Sequence, residues 1–177
     1  MTTQEKNGIT EGVIWKQLLI FFFPILVGSF FQQLYNTVDS VIVGQFVGKE
    51  ALSSVGGSAG QIISLVVGFF TGVSTGATVI ISQYFGAGKK EEIEESLHTA
   101  YAFALVGGLV LGIAGIVFAP QMLLWMNTPE ELIAESVLYV RVYFSGLIFI
   151  FIYNMGAAIL RAVGDSKRPL YLSLIHI

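Results

Sequence analysis

The 177 residues contain no cysteine. That excludes disulfides, thiol nucleophiles and Cys-ligated metal. Charge is also scarce. Asp, Glu, Lys and Arg make up 12% of the chain, about half the ~25% usual in soluble domains. The nine Lys and Arg form no long basic run, so a nucleic-acid surface has no support. Histidine occurs only as His98 and His176, too few for a His-based metal site. No nucleophile–base pair is present. Gly86-x-Gly88-Lys89 is too short for a phosphate-binding loop and has no strand before it. Catalysis, a metal and a cofactor are therefore not expected.

Apolar residues dominate instead, at 54% of the chain, with mean hydropathy +0.76. Such a chain has too little polar surface to cover a soluble globule, so it is an integral membrane protein. A spanning helix needs about 20 mostly apolar residues. The pattern predicts four, over residues 16–43, 51–84, 97–119 and 133–159. Residues 1–15 form a polar N-terminal segment without the features of a removable signal peptide. Lys6, Lys16, Lys89, Lys90, Arg161, Lys167 and Arg168 fall on one side of these spans, and Lys49 and Arg141 on the other. The bias places the N-terminus in the cytoplasm.

Two spans carry small residues every fourth position. One stripe is Gly56, Gly60, Ser64, Gly68, Gly72 and Gly76, the other Ala100, Ala104, Gly108 and Gly112. Small stripes let helices pack closely in lipid. The run from Asn127 to Glu131 reads as an N-cap with first-turn acids opening the fourth span.

The first span is the informative one. Asp39 lies well inside it, and a carboxylate at membrane depth costs roughly 2.5–3.5 kcal/mol on insertion scales. Gln32, Tyr35 and Asn36 precede it by seven, four and three residues, so all four share one helix face. A carboxylate with amide and phenol neighbours can hold a proton or accept a cation. The competing reading puts Asp39 at the outer interface, about 35 Å along the helix from Lys16, capping it. Pro24 removes one backbone hydrogen bond and bends the same helix, as a fixed bend or as a hinge. In the fourth span, Asn154 and Tyr153 are candidates for a polar pathway.

Several segments together resemble the multidrug and toxic compound extrusion (MATE) transporters. They are Pro24-Ile25-Leu26; Gln32-Gln33-Leu34-Tyr35-Asn36-Thr37-Val38-Asp39 with Val43-Gly44; Ser82-Gln83-Tyr84-Phe85-Gly86-Ala87-Gly88-Lys89; and Leu160-Arg161-Ala162-Val163-Gly164-Asp165-x-Lys167-x-Pro169. The resemblance covers about residues 15 to 171. It implies an all-α polytopic membrane helix bundle: about four helices of a twelve-helix, two-lobe transporter, here residues 16–171 of the N-terminal lobe. It implies a plasma-membrane antiporter that exports drugs or toxic, often cationic, organic compounds in exchange for Na⁺ or H⁺. The partners implied are membrane lipid, those small molecules and the remaining helices of the same polypeptide. Asp39 matches the family's first-helix acid, and Pro24 the proline at which that helix bends.

The chain is short for that family, and a fragment of this length is not expected to transport on its own. Residues 172–177, Leu-Ser-Leu-Ile-His-Ile, resemble the translation of a sequencing-library adapter and are expected to be non-native. Two other readings compete. A lipid-linked oligosaccharide flippase should carry several cations facing its cavity, and only Arg141 is expected within a span. A non-transporting scaffold subunit would leave Asp39 without a purpose.

Overall fold

The computed structural model describes residues 13–176. Residues 1–12, most of the expected N-terminal segment, and Ile177 lie outside the described residues. Seven α-helices follow one another: α1 Ile14–Ile42, α2 Lys49–Gly56, α3 Ser58–Gly86, α4 Lys90–Trp125, α5 Glu130–Ser145, α6 Leu147–Ala162 and α7 Lys167–His176, with a π-helical turn over Val43–Val47 after α1. Three stretches are long and apolar enough to cross a membrane: Ile14–Val47, Lys49–Gly86 and Lys90–Trp125. A fourth is the pair α5 and α6, bent by 50°.

The expected single helix over 133–159 is thus broken. The break falls at Ser145-Gly146, where the Ser145 hydroxyl donates to the Val142 carbonyl at 2.6 Å. Gly/Ser pairs are a usual cause of sharp kinks. The helix expected over 97–119 is longer than expected, because the charged connector before it is its own first turns and Pro120 does not end it. A proline leaves the carbonyl four residues back without its donor. Here that carbonyl belongs to Ile116, and the Arg141 Nε donates to it at 3.2 Å. Arg141 thereby serves the backbone of α4.

Three helices end the same way. The Lys89 N–H bonds to the Tyr84 carbonyl, Thr128 to Leu123 and Asp165 to Leu160, each closing a six-residue loop at 2.9–3.1 Å. The residue before each donor is left-handed: Gly88 at φ 71°, Asn127 at φ 52° and Gly164 at φ 89°. This is the Schellman ending, which favours Gly or Asn. Asn127 therefore closes α4 and is not the N-cap of the following helix, although Glu130 and Glu131 do occupy the first turn of α5.

Beyond Gly164, the Asp165 Oδ1 accepts from the N–H groups of Lys167 and Arg168, both at 3.1 Å. Its other oxygen pairs with Arg168 at 3.1 Å. Asp165 thus starts α7 as Gly164 stops α6. Replacing Asp165 with alanine is expected to cost about 1 kcal/mol of cap energy. Amide hydrogen exchange in the first turn of α7 should then quicken by about fivefold; exchange at the wild-type rate would contradict the assignment.

The core lies between α3, α4, α5 and α6. Phe70 of α3 stacks on Phe151 of α6 with ring centroids 3.4 Å apart. Leu147, Met155, Val140 and Leu123 are fully enclosed around them. The stripe on α4 is the tight interface: Ala100, Ala104, Gly108 and Gly112 are buried, and Gly115 and Ala119 extend it. A methyl added to Gly108 would meet the Ile148 Cα at 2.9 Å. The α3 stripe behaves oppositely. Side-chain positions at Gly68, Gly72 and Gly76 meet nothing within 4 Å among the described residues. The first span, α1, has no buried residue. It leans on α7, where Gly28 lies close under Leu170.

Candidate functional site

The loose seating of α1 leaves a cavity of about 650 Å³ between α1, α3, α6 and α7. On α1 it is lined by Pro24, Gln32, Tyr35 and Asn36. Tyr153, Asn154 and Arg161 face it from α6, Thr71 from α3 and Ser166 from the turn before α7. The helical offsets explain the convergence. Gln32, Tyr35 and Asn36 lie within about 100° of one another at 100° per residue, and Asn154 and Arg161 are two turns apart on one stripe.

Six of the seven site residues expected from sequence therefore line one cavity. Asp39 does not. It is exposed and lies beyond the cavity toward the π-helical turn, within electrostatic range of the Tyr139 hydroxyl on α5. The seclusion expected for an acid at membrane depth is not provided by the described helices. Neighbouring polar groups of α1 are turned along their own helix. The Asn36 amide donates to Gln33 at 3.3 Å, and Thr37 and Ser40 hydroxyls donate to backbone carbonyls one turn back.

Arg161 is the residue that sequence reasoning misplaced. It was expected in the loop after the fourth span, but it sits in the last turn of α6. Its spacing of seven from Asn154 would have put it on the same face. A second cavity of about 250 Å³ adjoins the first and shares Thr71, Asn154 and Arg161 with it. Its wall on α3 is hydroxyl-rich, with Ser74, Thr75 and Thr78. The Asn154 side-chain N–H donates to the Ile150 carbonyl at 2.9 Å, which fixes the amide against α6. Among the described residues no three His, Asp or Glu side chains come together as a metal site would require.

Spanning helices packed through small residues, with a polar-lined cavity at one side, make this a polytopic helical membrane protein. The MatE family model matches residues 24–177, and the chain belongs to that family. It is 34% identical over 164 residues to the probable multidrug resistance protein YpnP of Bacillus subtilis, covering 91% of this chain and 36% of that protein. It is 30% identical over 175 residues to the probable multidrug resistance protein YoeA of the same organism, covering 99% and 37%. A solved MOP superfamily transporter from Pyrococcus furiosus superposes with TM-score 0.89 over 98% of this chain and 38% of that one, at 24% identity. The last likeness concerns the fold alone. The chain spans a little over a third of the length of the curated relatives it matches.

Proposed function

We propose that the protein to which this chain belongs is a secondary antiporter of the plasma membrane. It exports drugs or toxic organic compounds, often cationic, in exchange for Na⁺ or H⁺. The observation that carries this reading is the cavity on which Gln32, Tyr35, Asn36 and Asn154 converge within otherwise apolar spans. Polar side chains at membrane depth are costly and are kept for pathways and coupling sites. Aromatic and amide groups suit varied amphipathic guests, and the fixed charge on the cavity among the described residues is the cation Arg161. Pro24 supplies the bend of α1, and Asp39 is the coupling acid, with Asn36, Tyr35 and Gln32 below it on the same helix. Residues 1–15 lie in the cytoplasm, 16–171 are part of the N-terminal lobe, and 172–177 are adapter-derived; sequencing the genomic locus across codon 171 tests the last point.

The flippase reading fits less well. A pyrophosphate-linked substrate needs several cations, and among the described residues Arg161 is the only Lys or Arg lining the large cavity. The test is ethidium efflux from a pump-deficient host expressing the full-length gene. Efflux above the empty vector is expected. Gln32→Ala and Asn154→Ala should each slow it by about fivefold, the size of one neutral hydrogen bond of ~1 kcal/mol. No efflux above the vector would overturn the antiporter reading.

A further inference from the structure

Arg161 lines both cavities described above and a third, of about 350 Å³, beside Gln17 and Ser82. It is the one residue common to all three. Among the described residues no Asp or Glu lines any of them. A half-buried guanidinium in an apolar bundle without a counter-charge is expensive. An unsatisfied hydroxyl lines the 250 Å³ cavity with it. Ser74 is 4% exposed, lines the 250 Å³ cavity, and its hydroxyl has no hydrogen-bond partner among the described residues.

The other hydroxyls of that wall are already committed. Thr71, Thr75 and Thr78 donate to carbonyls one turn back on α3, each at 2.9 Å. What remains free to donate is the Arg161 guanidinium, the Ser74 hydroxyl and the second N–H of Asn154. Donors that converge around a guanidinium, with no carboxylate among the described lining residues, suit an anion, and planar carboxylate or phosphate oxygens match the guanidinium fork.

We propose that Arg161, Ser74 and Asn154 bind an anionic group, a carboxylate or phosphate, at the α6 C-terminal end of the cavity. The group belongs to the acid end of an amphipathic small molecule or to a phospholipid headgroup. The inference deepens the export reading and rests on its cavity, but it is tested by binding, so it can fail while export stands.

The experiment uses the full-length protein in maltoside micelles and phosphate-free buffer. Dansyl-phenylalanine and its methyl ester are titrated by fluorescence, and melting is followed with and without short-chain phosphatidylglycerol. If small acids occupy the site, the acid binds about tenfold more tightly than the ester, as a charge-assisted hydrogen bond predicts. Arg161→Gln then removes that preference while ester binding persists, Arg161→Lys keeps part of it, and Ser74→Ala lowers acid affinity by about threefold. If lipid occupies it, phosphatidylglycerol raises the melting temperature of the wild type and not of Arg161→Gln. Should Arg161→Gln fail to fold, Ser74→Ala and Arg161→Lys carry both readouts. Acid preference and lipid stabilisation that are absent, or unchanged in all folded variants, would overturn the proposal.

Discussion

Asp39→Asn in the full-length protein is expected to uncouple export from the ion gradient. The substitution keeps the shape of the side chain and removes the charge that a proton or Na⁺ would neutralise. A charged partner is worth about 1.5–3 kcal/mol in a hydrogen-bonded site. Efflux driven by an imposed Na⁺ or H⁺ gradient should therefore fall by about ten- to a hundredfold. Equilibrium binding of the exported compound should change far less, because Asp39 lies off the cavity that Gln32, Tyr35, Asn36 and Asn154 line. Gradient-driven uptake into inside-out vesicles and binding in detergent separate the two effects. Undiminished transport with unaltered ion dependence would remove Asp39 from the coupling role. The position of the acid makes this a sharp test. Asp39 is exposed and lies off the cavity lining among the described residues, so a binding defect and a coupling defect can be told apart.

The difference between Asp39 and its helix neighbours also marks what a single sequence can convey. Face-sharing is a property of one helix, and the offsets that group Gln32, Tyr35 and Asn36 are legible in the chain itself. Gly88 and Gly164 are legible for the same reason, since a Schellman ending is local. Partnership between helices is not. Nothing near Pro120 in sequence says that Arg141, 21 positions on, will satisfy the carbonyl the proline frees. Nor does the period of a small-residue stripe say whether it faces a neighbour. The stripes on α3 and α4 look alike as sequence; from Gly68 to Gly76 the first is open among the described residues, while the second packs tightly against α5 and α6. Arg161 combines the two cases. Counting it as a loop cation served the orientation argument, while its register with Asn154 carried the information about the cavity.

That contrast between stripes yields a stability prediction with opposite signs on two similar glycines. In a helix, alanine is favoured over glycine by about 1 kcal/mol. At Gly115 this gain is overwhelmed. A methyl there would overlap the edge of the Phe144 ring, which is 3% exposed, so neighbours would have to shift to admit it. The backbone at Phe144 is close to α4 as well, because a methyl on Gly112 would meet the Phe144 carbonyl at 3.1 Å. Overpacking of this kind costs about 1–3 kcal/mol or more. In lipid the loss is undiluted, since close packing rather than water exclusion holds the helices together. Gly115→Ala should lower the melting temperature of the full-length protein in detergent by about 1–3 °C, at ~1 °C per kcal/mol for a protein of the relatives' length. Gly72→Ala meets nothing among the described residues, so helix propensity alone should leave it neutral or raise melting by up to about 1 °C. A fall at Gly72 comparable to that at Gly115 would mean that helices beyond this chain close directly on the α3 stripe. The two stripes would then do the same work on different partners. A rise at Gly115 would show that the α4–α5 contact is looser than the packing of Phe144 requires.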